Sequence, residues 1–202
     1  MTIQEELQEF KKFKENYQFE QKEIEEVDGE QYCEGYPLMD EEGKMIGNCE
    51  KWINVGYKHK DSYAKVLSNL FPYEFEFRGK KLSSIESFFQ GIKFKDIDMQ
   101  NCVLSYSGLD SNRVKVCSGY DWKVTGKIYW QGQEIDRYSK EYDDLVDEMY
   151  IAAIQNPLYR NVLKICEVDI IHTMGAKEKS ETVFTRYEFE KQLNCLKEFL
   201  KK

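Results

Sequence analysis

Glu86, Gln90 and Lys93 form the strongest chemical pattern in the chain, within the stretch Ser84-Ile85-Glu86-Ser87-Phe88-Phe89-Gln90-Gly91-Ile92-Lys93-Phe94. At i, i+4 and i+7 of a helix, a carboxylate, an amide and an amine share one face. Ile85, Phe88, Phe89 and Ile92 make the opposite stripe, which is apolar and expected in the core. A carboxylate beside an amine suits proton transfer, each tuning the other's pKa. An amine held there can also attack an aldehyde-like carbon and form a Schiff base. A purely structural reading stands beside this one. Ser83-x-x-Glu86 has the spacing of a capping box, which would use Glu86 to close the first helical turn, and Lys93 would then be a solvated surface residue.

The common catalytic signatures are absent: no GxGxxG, GxxxxGK[ST], GxSxG or HExxH occurs. There are two histidines, His59 and His172; the second reads either as a site residue or as a capping or core histidine. The six cysteines include no CxxC or CxH spacing, which argues against zinc, and no metal or other cofactor is expected. With no secretory signal at the N-terminus the expected compartment is the cytoplasm, with the cysteines as free thiols and Cys166 and Cys195 as buried small hydrophobes. Two further candidates lie in YWQGQEIDRYS. Trp130 could stack on a base or pack in the core. Arg137 could hold a phosphate bidentately or pair with Asp136 or Glu141. Arg78, Lys80 and Lys81 form a basic cluster that reads equally as a diphosphate attractor and as a solvated turn.

The elements that must position these residues follow from periodicity. The spacing predicts a helix over residues 2–24, with Ile3, Leu7, Phe10 and Tyr17 on one side. Residues 25–50 are acidic and predict a loose hairpin, QYCEGYPLMD and KMIGN around a turn at Glu42-Gly43. Lys51–Tyr57 predicts a strand, LSNLFPY a turn ended by Pro72, and EFEFRGKKL a strand, turn and strand around Arg78-Gly79. A helix follows over 84–94, then a mixed stretch over 99–118 with Ser-Gly and Ser-Asn turns. KIYWQGQEI predicts extended chain around Gln131-Gly132. Tyr142, Leu145, Val146, Met149, Tyr150, Ala153 and Ile154 predict the clearest helix, ended by Asn156-Pro157. A short helix over 157–165 and a last one over 186–201, opened by a Thr185–Glu188 capping box, complete the chain. The fold class is therefore α+β and mainly helical. One domain with short strands occupies residues 51–202, and residues 1–50 form a helix-plus-hairpin appendage.

Composition bounds the function. At 202 residues, 41% hydrophobic and 33% charged, the chain can bury a real core. No apolar run approaches the about 20 residues of a membrane span, so no membrane partner is expected. A net charge of -8 argues against bulk electrostatic binding to nucleic acid, but not against one nucleotide in a local pocket.

Residues 53–94 resemble the opening of the NADAR superfamily (NAD- and ADP-ribose-associated, YbiA-like). The matching residues are Ser68-Asn69-Leu70, Pro72, Ser84, Glu86, Phe88, Phe89, Gln90, Lys93 and Phe94, and a weaker likeness continues through DWKVTGKIYW to about residue 200. The resemblance implies a mainly helical α+β domain and an N-glycosidase acting on ribosyl–nitrogen bonds, in phosphoribosyl intermediates of the riboflavin pathway or in ADP-ribosylated guanine. By position it implies Glu86 as the central acid/base, Lys93 as the amine that engages or polarises the ribose C1 centre, and Asn69 and Gln90 as residues that orient the ribose. The family's acidic residue and Trp-Gly turn before the last helix have no counterpart in IIHTMGAKEKSETVFTRYEF, where His172 and Gly175 stand instead.

The expected activity is hydrolysis of a ribose–nitrogen bond in a nucleotide-type compound, free or carried on nucleic acid. Glu86 would stabilise oxocarbenium-like charge or activate water, with Lys93 as an imine-forming variant. Two rivals remain: a non-catalytic module that holds NAD, ADP-ribose or a related nucleotide, and an interaction protein that docks a partner through residues 1–50.

Overall fold

The computed structural model describes residues 2–21, 25–27, 30–32, 52–56, 62–114 and 121–202. Chain order is α1 (Ile3–Glu15), β1 (Glu25–Val27), β2 (Glu30–Tyr32), β3 (Trp52–Asn54), α2 (Ser62–Val66), β4 (Phe75–Phe77), β5 (Lys80–Leu82), α3 (Ile85–Gly91), α4 (Ile97–Leu104), α5 (Gly108–Arg113), α6 (Trp122–Thr125), β6 (Lys127–Trp130), β7 (Gln133–Asp136), α7 (Lys140–Ala153), α8 (Pro157–Ile165), β8 (Asp169–Ile171) and α9 (Arg186–Leu200). The strands join in pairs: β1-β2, β4-β5 and β6-β7 are antiparallel hairpins, and β3-β8 is parallel. This is the α+β, mainly helical single domain that the sequence implies.

The hairpins form where the turn chemistry demands them. Arg78 and Gly79 take positive φ (47° and 73°) between β4 and β5, and Gln131 and Gly132 do so (47° and 87°) between β6 and β7. Two consecutive left-handed residues match the strand twist, with glycine carrying the second at little cost. The Arg78 guanidinium goes to Glu148 (2.6 Å) and Lys81 to Glu74 (2.6 Å), so the basic cluster is a paired turn.

Three expectations need correction. The first helix stops at Glu15, where Asn16 caps it, so Tyr17 lies beyond the helix. A Thr2–Glu5 capping box fixes its start, which the apolar spacing did not reveal. The helix expected over 84–94 stops at Gly91, with Lys93 in the turn beyond it, its amide donating to the Gln90 carbonyl at 3.3 Å. The first helix packs on the last. Phe10 is fully buried, with its ring 5.4 Å from that of Phe199 in α9, and Lys14 reaches Gln192 on α9 at 2.7 Å. Finally, α4 and α5 fall largely in the stretch 99–118 expected to be mixed with turns, and α2 and α6 form where the sequence reading assigned no element. Asp96 accepts from the Met99 amide at 2.8 Å and so opens α4. The expected hairpin around Glu42-Gly43, the ends of the 51–57 strand, and His59 lie outside the described residues.

The core runs between the helices. Ile85, Phe88 and Ile92 of α3 meet Phe77 and Trp130 from the hairpins and Tyr150 from α7. Cys166 and Cys195 are buried free thiols and Cys102 an exposed one. Burial pushes the Cys195 thiol up to about 12, as its apolar surroundings require. Among the described residues no helix is long and apolar enough to cross a membrane.

Candidate functional site

The polar face of α3 opens into a cleft of about 580 Å³. Ser84 starts the helix, its hydroxyl accepting from the Ser87 amide at 3.1 Å. Ser83 instead donates to the Ser105 carbonyl at 2.9 Å. The Ser83–Glu86 capping box therefore does not form, and the Glu86 carboxylate is turned to its own helix face. Gln90 Nε2 donates to Glu86 Oε1 at 2.6 Å, and Lys93 Nζ donates to Gln90 Oε1 at 2.7 Å. The amide is a bridge: it offers its donor end to the carboxylate and its acceptor end to the ammonium. Gln90 and Lys93 are buried, at 4% and 8% exposure. Placing a charged amine there has a desolvation cost that this geometry offsets.

The turn 68–70 forms one flank. The Glu86 amide donates to the Asn69 carbonyl at 2.8 Å, and Tyr150 donates to Asn69 Oδ1 at 3.1 Å. Burial pushes the Tyr150 phenol well above its ordinary value, so it remains a donor. The turn lies hard against α5: a Cβ on Gly108 would meet the Leu70 carbonyl oxygen at 2.2 Å, so no side chain fits. Asn112 from α5 and Trp122 from α6 also line the cleft, with Lys93 Nζ 5.9 Å from the centre of the Trp122 ring.

The far wall comes from the other end of the chain. His172 follows β8, and its ring Nδ1 donates to the Val55 carbonyl at 3.0 Å. Asn54 and Thr173 exchange two hydrogen bonds, of 2.8 and 3.1 Å, across the same junction. Burial pushes the half-buried imidazole below its ordinary value, outweighing the Val55 bond that favours the cation. His172 is thus neutral at pH 7, and its Nε2 keeps a lone pair. Val183, Phe184 and Thr185 complete this wall, with the Phe184 ring stacked 4.6 Å from that of Phe89.

Five of the seven expected site residues therefore share one cleft: Asn69, Glu86, Gln90, Lys93 and His172. Trp130 and Arg137 do not line it. Trp130 sits on the core side of β6 beside Phe77, with ring centres 4.8 Å apart. Arg137 is 1% exposed and grips Glu188 with two bonds, 3.1 and 2.6 Å, its guanidinium 4.3 Å from the Tyr142 ring. Its partner is thus neither a phosphate nor Asp136 or Glu141. Burial alone would raise the Glu188 carboxyl, but Arg137 and the Thr185 bonds hold it below its ordinary value. Glu188 also accepts from the Thr185 amide at 2.8 Å, so Arg137 braces the Val183–Thr185 wall from behind. Trp122, Asn112 and Phe184 escaped the sequence reading. For Trp122 a signal was present: it precedes Gly126 in a connection, whereas Trp130 alternates with buried Ile128 along a strand. Among the described residues no group of three or more His, Cys, Asp or Glu side chains is placed to hold a metal.

Fold and cleft together define a mainly helical α+β domain of one body, with a carboxylate–amide–amine chain on a buried helix as its polar centre. The sequence matches the family described as bacteriophage protein GP30.3 over residues 62–198, and the chain belongs to that NADAR-like family. An uncharacterized 17.1 kDa protein from the Gp30–rIII intergenic region of Enterobacteria phage T4 is 30% identical over 141 residues, covering 67% of this chain and 90% of that protein. The NMR structure of the E. coli protein YbiA is similar with a TM-score of 0.48 and 16% identity, covering 74% of this chain and 84% of that one.

Proposed function

We propose that the protein is an N-glycosidase that hydrolyses the ribose–nitrogen bond of an ADP-ribosyl or phosphoribosyl compound. The observation that carries this reading is the Glu86–Gln90–Lys93 chain, bonded at 2.6 and 2.7 Å from α3 into the turn that follows it, inside a cleft of about 580 Å³. Water adds to the ribose C1 carbon as the C1–N bond breaks. The bonding pair leaves with the base nitrogen, which takes a proton from solvent, and Glu86 takes the proton of the attacking water. Glu86 also faces the positive charge that grows on the sugar ring. Gln90 fixes the carboxylate through one hydrogen bond and the amine through another, so both are held before substrate arrives. Asn69 and the neutral His172 orient the ribose hydroxyls, His172 through Nε2. In the open-chain variant the ring opens to a C1 iminium on the base nitrogen; the neutral Lys93 amine adds to C1, the base nitrogen leaves with the C1–N pair and a proton from that amine, and water hydrolyses the Lys93 imine to the C1 aldehyde and the free amine.

The ligand is a nucleotide-type small molecule, or the same ADP-ribosyl group carried on nucleic acid. The free thiols at Cys102, Cys166 and Cys195 agree with action in a reducing cytoplasm. The test is chromatographic turnover of NAD, a phosphoribosylamino-pyrimidine and an ADP-ribosylated guanine, beside Glu86→Gln. Base release by the wild type and not by the variant supports the reading. Nucleotide binding without release favours the non-catalytic module instead, and neither binding nor release removes both.

A further inference from the structure

Two residues that line the cleft each carry a side-chain polar atom without a partner. Trp122 Nε1 and Asn112 Oδ1 are closed to solvent and have no hydrogen-bond partner. One is a donor and the other an acceptor, and the Trp122 ring lies 5.9 Å from Lys93 Nζ. Trp122 is 3% exposed, so its indole N–H is shut away from water as well as from protein. Buried polar groups in folded chains are nearly always paired, and two orphans on residues of one cleft call for a partner. The central polar groups of the lining are bonded to one another or to the chain: Glu86 with Gln90, Gln90 with Lys93, Asn69 with Tyr150, and His172 through Nδ1 with Val55.

We infer that Trp122 and Asn112 form the subsite for the departing base, and that they select a base carrying both a carbonyl-type acceptor and an N–H donor on its rim. The indole N–H donates to the base acceptor, and the Asn112 side-chain oxygen accepts from the base N–H. Purely apolar rings and rings with acceptors alone leave one protein atom unpaired and are disfavoured. Access is provided by α6 itself. It is a single four-residue helix between Asp121 and Gly126, with Val124 90% exposed, so a small displacement of it turns the indole edge into the cleft. The inference rests on the proposed function for its placement, since the base must hang from the C1 carbon beside Lys93. It goes beyond that reading in naming the residues and the chemistry that choose the base.

Calorimetric binding of two ribonucleosides tests it on the full chain. Inosine has a ring carbonyl beside an N–H; purine riboside has neither. Inosine is expected to bind about tenfold more tightly. Trp122→Phe keeps the ring and loses the donor, and Asn112→Leu keeps the bulk and loses the acceptor. Each is expected to weaken inosine about fivefold to tenfold while purine riboside and ribose 5-phosphate bind as before. Equal binding of the two nucleosides, no binding of either, or equal losses for both in the variants overturns the inference. Circular dichroism identifies a variant that fails to fold, and the other variant then decides. The outcome separates from that of the hydrolase reading. Discrimination through Trp122 and Asn112 without any base release keeps the subsite and removes the hydrolase. Base release lost in Glu86→Gln and untouched by Trp122→Phe or Asn112→Leu keeps the hydrolase and removes the subsite.

Discussion

The molecule has a second, larger concavity of about 1180 Å³, a groove lined by Glu6, Phe13, Tyr17, Arg160, Phe199 and others where α1 meets α8 and α9. It is about twice the volume of the α3 cleft and differs from it in how its charges are spent. In the groove they neutralise one another directly: Arg160 meets Glu6 at 2.8 Å, Gln155 donates to the same carboxylate at 2.8 Å, and Lys202 lies 4.0 Å from the centre of the Phe13 ring. In the cleft a carboxylate and an amine are kept apart by Gln90, and a donor and an acceptor on α6 and α5 go unpaired. Unpaired and indirectly paired groups cost stability, and a fold keeps them where they have work to do. Volume measures how loosely elements meet; the state of the polar groups separates a candidate site from a seam between helices.

Substitutions on the two sides should separate accordingly. The largest effect is expected from Glu86→Gln, with a loss of about 100-fold to 10,000-fold in the rate of base release and little change in melting temperature. A wild-type rate in this variant would erase the distinction between the concavities. Next comes the brace behind the cleft. Arg137→Met removes the buried cation from Glu188, leaving it the half-exposed Lys179 at 3.3 Å, and should cost about 3 kcal/mol in denaturant unfolding, because breaking one side of a buried pair is worse than removing both. Arg137→Met with Glu188→Leu should recover much of that loss, which a simple packing defect at position 137 would not allow. Of similar size, Phe10→Ala under the groove should cost about 3–5 kcal/mol through the cavity it leaves, with nucleotide binding in the cleft preserved. A small loss would return α1 to the status of an appendage.

The pH dependence gives a smaller effect with a fixed sign. The folded state holds His172 below the ordinary imidazole value, so the unfolded chain binds the extra proton first as pH falls. Its contribution is complete above about pH 6.5 and is lost as pH drops through the folded value. His172→Asn should flatten that limb of the stability profile. Glu188, also depressed, contributes stability above about pH 4.5 that disappears at lower pH, a limb Arg137→Met should move upward. The smallest effect is expected in the groove, where Arg160→Ala breaks a partly exposed ion pair worth about 1 kcal/mol or less and leaves base release unchanged.

Half of this cleft was legible in the sequence because it lies within one element. Residues 85–93 suggest both a buried stripe and a polar face by helical spacing alone; the structure carries the helix only to Gly91 and brings Lys93 to Gln90 from the turn that follows. The Thr185–Glu188 capping box and the two left-handed turns were equally local. The opposite wall was not local. No pattern around His172 encodes its bond to Val55, which depends on strand pairing between distant segments. The short helices were lost for another reason: α5 and α6 have six and four residues, fewer than two turns, so apolar periodicity has no room to show, and in α5 Gly, Ser and Asn read as turn residues. Of the two readings open for Trp130, the structure shows core packing, its ring 5.8 Å from that of Phe88. The helix over residues 2–24 was overextended because Tyr17 keeps helical phase by coincidence beyond the cap at Asn16.

The parallel pairing of β3 with β8 sets the order in which the protein can be assembled. Val55 and His172 meet across 117 residues of chain, and loop closure of that length precedes any reward from the contact. During synthesis the α3 face and its 68–70 flank emerge early and can pack on local neighbours. The wall that carries His172, Phe184 and Thr185 arrives only with the C-terminal quarter. A ribosome-bound intermediate therefore displays the carboxylate and amine on an open surface, and the enclosure that makes them a site is a late event of folding.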